Sequence, residues 1–163
     1  MNAIRSLILG LGVVLMLVSC GEEDAPLRES TYLLHRVGTT PINGTVTFVE
    51  LSNEQIRVDI ALENTVDGIP FPAHLHFGNI GETGELAFRL TDVDGATGLS
   101  TTILDRAELL NGSQFSFDFL QEMNGSVKIH LNDSFFRNIA IAAGNIGTNR
   151  NSVTAGIAVC TGH

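Results

Sequence analysis

The sequence predicts an all-β protein, an antiparallel sandwich or barrel of about seven to nine short strands with one short helical segment near residues 103–110. Three observations carry this. Apolar and polar residues alternate through Gln55 to Asn64: Ile56, Val58, Ile60 and Leu62 share one face, while Arg57, Asp59 and Glu63 share the other. A strand with one buried and one solvated face reads this way. Asn43-Gly44, Asp67-Gly68, Asp94-Gly95, Asn111-Gly112 and Asn124-Gly125 punctuate the chain, and such pairs supply the positive backbone angles of tight turns. Beyond Thr31, helical periodicity is scarce.

Residues 1–19 stand outside this fold. Arg5 gives a positive start, Leu7 to Val18 is an uncharged apolar run, and Leu17-Val18-Ser19-Cys20 follows at once. That order is a secretory signal, and the run falls short of the about 20 residues of a membrane-spanning helix. Leu-Val-Ser-Cys resembles a bacterial lipobox, which implies that Cys20 is lipidated and becomes the first residue of the mature chain. The alternative is an ordinary signal peptide with an incidental cysteine. Residues 20–30 read as an acidic tether. Gly21-Glu22-Glu23-Asp24-Ala25-Pro26 is similar to surface-export signals of Bacteroidetes lipoproteins, and as a bare charge run it is a solvated linker.

Residues 31–163 form one domain with no internal repeat. Its expected strands are Tyr32 to Val37, Gly44 to Leu51, Gln55 to Asn64, Ala73 to Phe77, Leu86 to Leu90, Phe115 to Leu120, Ser126 to Leu131, Asn138 to Ala143 and Thr154 to Cys160. The short connection from Leu51 to Glu54 makes the second and third a hairpin. Ile103-Leu104-Asp105-Arg106-Ala107-Glu108-Leu109-Leu110 has helix-forming composition. Phenylalanines at every second position in Phe115-Ser116-Phe117-Asp118-Phe119 read as a core face. With no tryptophan and a single tyrosine, phenylalanine supplies most of the aromatic packing.

The formal net charge is −9, and loss of Arg5 with the signal moves it to about −10. An acidic chain repels phosphate backbones, which excludes nucleic acid as a partner. Only two cysteines occur, so lipidation of Cys20 leaves Cys160 without an internal partner and no disulfide framework. Its apolar setting, Ile157-Ala158-Val159-Cys160, favours a buried, inert thiol.

The residues that carry chemistry are histidines. In Pro72-Ala73-His74-Leu75-His76-Phe77, strand alternation turns His74 and His76 away from Ala73, Leu75 and Phe77. In Val127-Lys128-Ile129-His130-Leu131, His130 is likewise opposite the apolar residues. A His-x-His pair presents two imidazoles on one side, and His130 is the natural third ligand. Three neutral imidazoles suit copper or zinc rather than calcium or magnesium. The competing reading is an exposed set of histidines bonded to a loop. His35 and His163 are further candidates. Asp92-Val93-Asp94-Gly95 lacks the closing glutamate of an EF-hand and reads as a turn, and Glu82 and Glu85 read as solvated loop charges. Gly-x-Ser-x-Gly, phosphate-loop and Cys-x-x-Cys patterns are absent.

Several blocks in order resemble the chordin-type (CHRD) domain found in bacterial lipoproteins. They are Gly44-Thr45-Val46-Thr47-Phe48-Val49-Glu50, Pro72-Ala73-His74-Leu75-His76, the stretch from Leu90 to Thr101 through Asp92-Val93-Asp94-Gly95, Gly125-Ser126-Val127-Lys128-Ile129-His130-Leu131, and Ala143-Gly144-Asn145-Ile146-Gly147. The resemblance spans Ile42 to Asn149 and implies an immunoglobulin-like, Greek-key β-sandwich. A more distant likeness is to copper-zinc superoxide dismutase, whose His-x-His strand and later strand histidine hold copper; His74, His76 and His130 match these by order. No histidine lies between His76 and His130, so the bridging histidine and zinc loop of that family have no counterpart, and the residues around Arg150 do not align with its anion-guiding arginine.

Together these readings favour a non-enzymatic binding or interaction module of the bacterial cell envelope. It is held at the outer membrane, with surface exposure, through lipidated Cys20, and it carries a three-histidine metal site. The alternative is a copper-dependent redox protein related to superoxide dismutase.

Overall fold

The computed structural model describes residues 27–51, 54–131 and 139–150. Residues 1–26, and with them the signal sequence and Cys20, lie outside the described residues, as do His163 and the expected strand Thr154 to Cys160. In chain order the elements are β1 (Arg28–Arg36), β2 (Asn43–Glu50), β3 (Gln55–Glu63), β4 (Ala73–Phe77), β5 (Leu86–Arg89), β6 (Leu99–Asp105), α1 (Phe117–Glu122), β7 (Asn124–His130) and β8 (Ala140–Gly147).

Among the described residues every strand pairing is antiparallel. The eight strands make one sheet in the order β5-β4-β7-β8-β1-β2-β3-β6. That sheet curls over on itself, so the expected sandwich is a single folded sheet rather than two separate ones. β1 is the corner. Its residues Arg28 to Leu34 pair with β2, and then His35 and Arg36 pair with Ala143 and Ala142 of β8. Gly144 permits this approach, because a Cβ there would collide with the Leu33 carbonyl oxygen.

The β2–β3 hairpin is as expected, with Val46 opposite Ile60 and Phe48 opposite Val58, all four fully buried. Removing a side chain of this size from water stabilises by about 1.5–3 kcal/mol. Tyr32 packs edge-on against Phe48, and Phe48 against Phe115, with ring centroids 6.0 and 6.2 Å apart. Phenylalanine therefore supplies much of the packing that tryptophan would otherwise give.

Three local expectations are corrected. β1 begins at Arg28, inside the stretch expected as tether. Arg28 anchors it: Nε and Nη2 donate to Glu50 at 2.5 and 2.7 Å, and Nη1 donates to Asp118 at 2.5 Å. The guanidinium also lies 4.8 Å from the Phe117 ring centre, and its hydrogen bonds hold the Glu50 carboxyl below the usual range.

The helix is not at residues 103–110. Ile103, Leu104 and Asp105 end β6, paired with Arg57, Ile56 and Gln55, and Arg106, at φ 43°, turns the chain. Cross-strand pairing outweighed helix propensity there. The helix instead forms at Phe117–Glu122, within the segment expected as a strand. Ser116 caps it by accepting from the Phe119 amide at 3.1 Å. Phe117 and Leu120, three residues apart, are then buried together.

Two of the Xaa-Gly pairs are not turns. Gly44 and Gly125 lie within β2 and β7, where a Cβ would collide with the Ala61 carbonyl oxygen and the Met123 side chain respectively. Gly68 and Gly112 do adopt positive φ; at Asp94-Gly95 the positive angle falls on Gly98 instead. Asp94 Oδ1 accepts from Ala96 and Thr97, which makes that loop a turn.

Candidate metal centre

β4 and β7 lie side by side in the sheet, with β5 on the far side of β4 and β8 on the far side of β7. Ala73, Leu75, Val127 and Ile129 are fully buried in the core between the two halves of the folded sheet. Alternation then puts His74 and His76 on the opposite face of β4, and Ser126, Lys128 and His130 on the opposite face of β7. The register sets His74 across from Lys128 and His76 across from Ser126. The His130 amide donates to Pro72 O at 2.8 Å.

Both strands are irregular beside a histidine. The β4–β5 register shifts between Leu75 and His76, and the β7–β8 register shifts between Ile129 and His130. A bulge re-aims the side chains next to it. The three rings converge, with centroids 4.7 Å apart for His74 and His130, 5.9 Å for His74 and His76, and 6.1 Å for His76 and His130.

One nitrogen from each ring lies within 4.8 Å of the other two, so His74, His76 and His130 form a group that could hold a metal ion. Nitrogens that share a tetrahedral ion at about 2.0–2.1 Å are about 3.4 Å apart. Loading therefore requires no pair of nitrogens to close by more than about 1.4 Å, within reach of small side-chain rotations. Among the described residues the group contains neither carboxylate nor thiolate, a donor set for zinc or copper and a poor one for calcium or magnesium.

The phase of the three histidines matches the alternation in the sequence, and the exposure that the competing reading supposed is not found. They are 6 %, 2 % and 0 % exposed, and Lys128 is fully buried among them. The loop of residues 78–85 folds back across this face and is tied down by polar contacts. Gly84 O meets His76 Nδ1 at 3.1 Å, Glu82 O accepts from Lys128 Nζ at 3.0 Å, and the Ile80 amide donates to Asn145 Oδ1 at 2.8 Å. Gly84 is required where it stands, because a Cβ there would overlap the Phe77 carbonyl oxygen.

The Gly84 contact has a chemical consequence. A carbonyl only accepts, so His76 carries its proton on Nδ1, which puts its lone pair on Nε2. A backbone carbonyl behind a ligand imidazole fixes ring orientation and raises its basicity. Beside this, Arg89 of β5 is the cross-strand partner of His74. Its Nη1 lies 3.4 Å from His74 Nε2.

The other expected candidates fall elsewhere. His35 is exposed. It lines a shallow cavity of about 210 Å³ with Leu33, Ile80, Asn145 and Arg150, to which none of the three histidines contributes. Glu82 and Glu85 are exposed, as expected of loop charges, and the Glu82 carboxylate is occupied by Asn79. Sequence reasoning missed Lys128 and Arg89. Lys128 carries a readable signal, sharing the phase of His130 two residues away. Arg89 carries none, since its place depends on the β4–β5 register.

No family model matches the chain, no curated protein matches it, and no solved structure matches it. The chordin-type and superoxide dismutase resemblances rest on the residues quoted for them.

Proposed function

We propose that this protein is a metal-capturing module of the bacterial envelope. It holds one copper or zinc ion through His74, His76 and His130, and a lipid on Cys20 holds it at the outer membrane. The observation that carries the metal reading is the gathering of three buried imidazoles from two strands, one nitrogen of each within 4.8 Å of the others. Burial favours retention over turnover, because a covered face restricts the exchange of substrate. Support for anchoring comes from the charged start, apolar run and Cys20 of residues 1–20, and stable attachment takes more than one acyl chain.

The second reading, a copper-dependent redox protein similar to superoxide dismutase, is favoured by one feature of the same group: three protein nitrogens leave a tetrahedral ion one open position. Fold likeness alone cannot choose between them. Superoxide consumption by the copper-loaded protein, lost on chelation, would favour the redox reading; its absence leaves capture.

The test of capture is titration of the purified protein with copper(II) and zinc, followed calorimetrically. One equivalent binds, and His76→Ala and His130→Ala each abolish stoichiometric uptake. Uptake surviving in both variants rejects the site. For anchoring, Cys20→Ala leaves the chain unprocessed or released from the membrane fraction, and unchanged fractionation rejects the lipid anchor.

A further inference from the structure

Arg89 is exposed, yet its guanidinium reaches across the β4–β5 pair to the ring of a buried histidine. A guanidinium only donates, so the 3.4 Å contact makes His74 Nε2 the acceptor. A neutral imidazole has a single lone pair in the ring plane. If a metal ion took His74 through Nε2, it would compete with Arg89 for that lone pair. If it took His74 through Nδ1, the ring proton would sit on Nε2 and face a donor with a donor. Short of stripping a second proton from the ring, metal and Arg89 cannot both engage His74.

From this we infer that Arg89 is a competing gate on the three-histidine site: it occupies the imidazole of His74 in the metal-free protein and must let go before the third nitrogen can ligate. The inference rests on the three-histidine reading and adds the residue that sets its affinity. Arg89 is suited to the part. Its exposed side chain swings into water at little cost, and its positive charge at the ring opposes an incoming cation.

The experiment compares the full protein with Arg89→Leu and Arg89→Lys in two measurements. Side-chain nitrogen NMR of the metal-free forms reads which ring nitrogen of His74 carries the proton, and calorimetry reads copper(II) and zinc affinity. In the parent, His74 is protonated on Nδ1 with Nε2 accepting. Arg89→Leu loses that bias and binds metal about tenfold more tightly, the scale of one charged hydrogen bond. Arg89→Lys, which keeps a donor, falls between the two. Parent His74 already protonated on Nε2, or unchanged affinity in Arg89→Leu while uptake persists, overturns the gate alone. Failure of every form to take up metal overturns the three-histidine reading and the gate with it.

Discussion

Lys128 is the residue whose placement departs most from ordinary chemistry. It is fully buried, it stands across from His74, and its amine donates to a loop carbonyl. A buried ammonium is costly unless its hydrogen bonds are met. Here its return is positional, because it ties the loop of residues 78–85 down over the histidines. Lys128→Met keeps the stem and removes the tether. Global stability should fall by no more than about 3 kcal/mol, because the Glu82 carbonyl loses this donor while the cost of burying the amine is relieved. Backbone amides of residues 78–85 should at the same time lose protection in hydrogen exchange. Unaltered protection would show that the loop is held by something other than this amine. The residue scale also shows why the site was only half legible. Strand phase is local, so His74, His76 and His130 could be placed on one side from the alternation of their neighbours. Burial is not local, and a face opposite a core looks solvated until the loop that covers it is known.

At the scale of elements, the strands were legible where alternation was strict and where apolar runs were short, as in β2, β3 and β4. The segment from Phe115 to Leu120 misled because six residues are too few to separate period two from period 3.6. Phe115, Phe117 and Phe119 satisfy the strand pattern, while Phe117 and Leu120 satisfy the helical one. The deciding signal was Ser116, an N-cap residue just ahead of the run. Ser116→Ala should therefore cost about 1 kcal/mol of stability, measured by urea denaturation. A change within error would mean that burial of Phe117 and Leu120 alone sets the helix. The reverse error at Ile103 to Asp105 has the opposite cause: a helix-favouring composition was overruled by pairing with β3, a partner more than forty residues away.

At the scale of the whole molecule, the fold assembles the site through neighbours that are distant in sequence. β4 and β7 are adjacent in space although β5, β6 and α1 come between them in the chain, and this adjacency brings His130 to His74. Local pattern fixes no such pairing, since the loop-closure entropy of a non-local contact is repaid only when the curled sheet is complete. Cys160, a softer donor than imidazole, lies outside the described residues and offers a rival ligand. The decisive measurement is X-ray absorption spectroscopy of the protein loaded with one equivalent of zinc. The three-histidine account predicts a first shell with three imidazole nitrogens at about 2.0–2.1 Å and no sulfur, and a shell at about 2.3 Å from sulfur, or one without imidazole scattering, would contradict it.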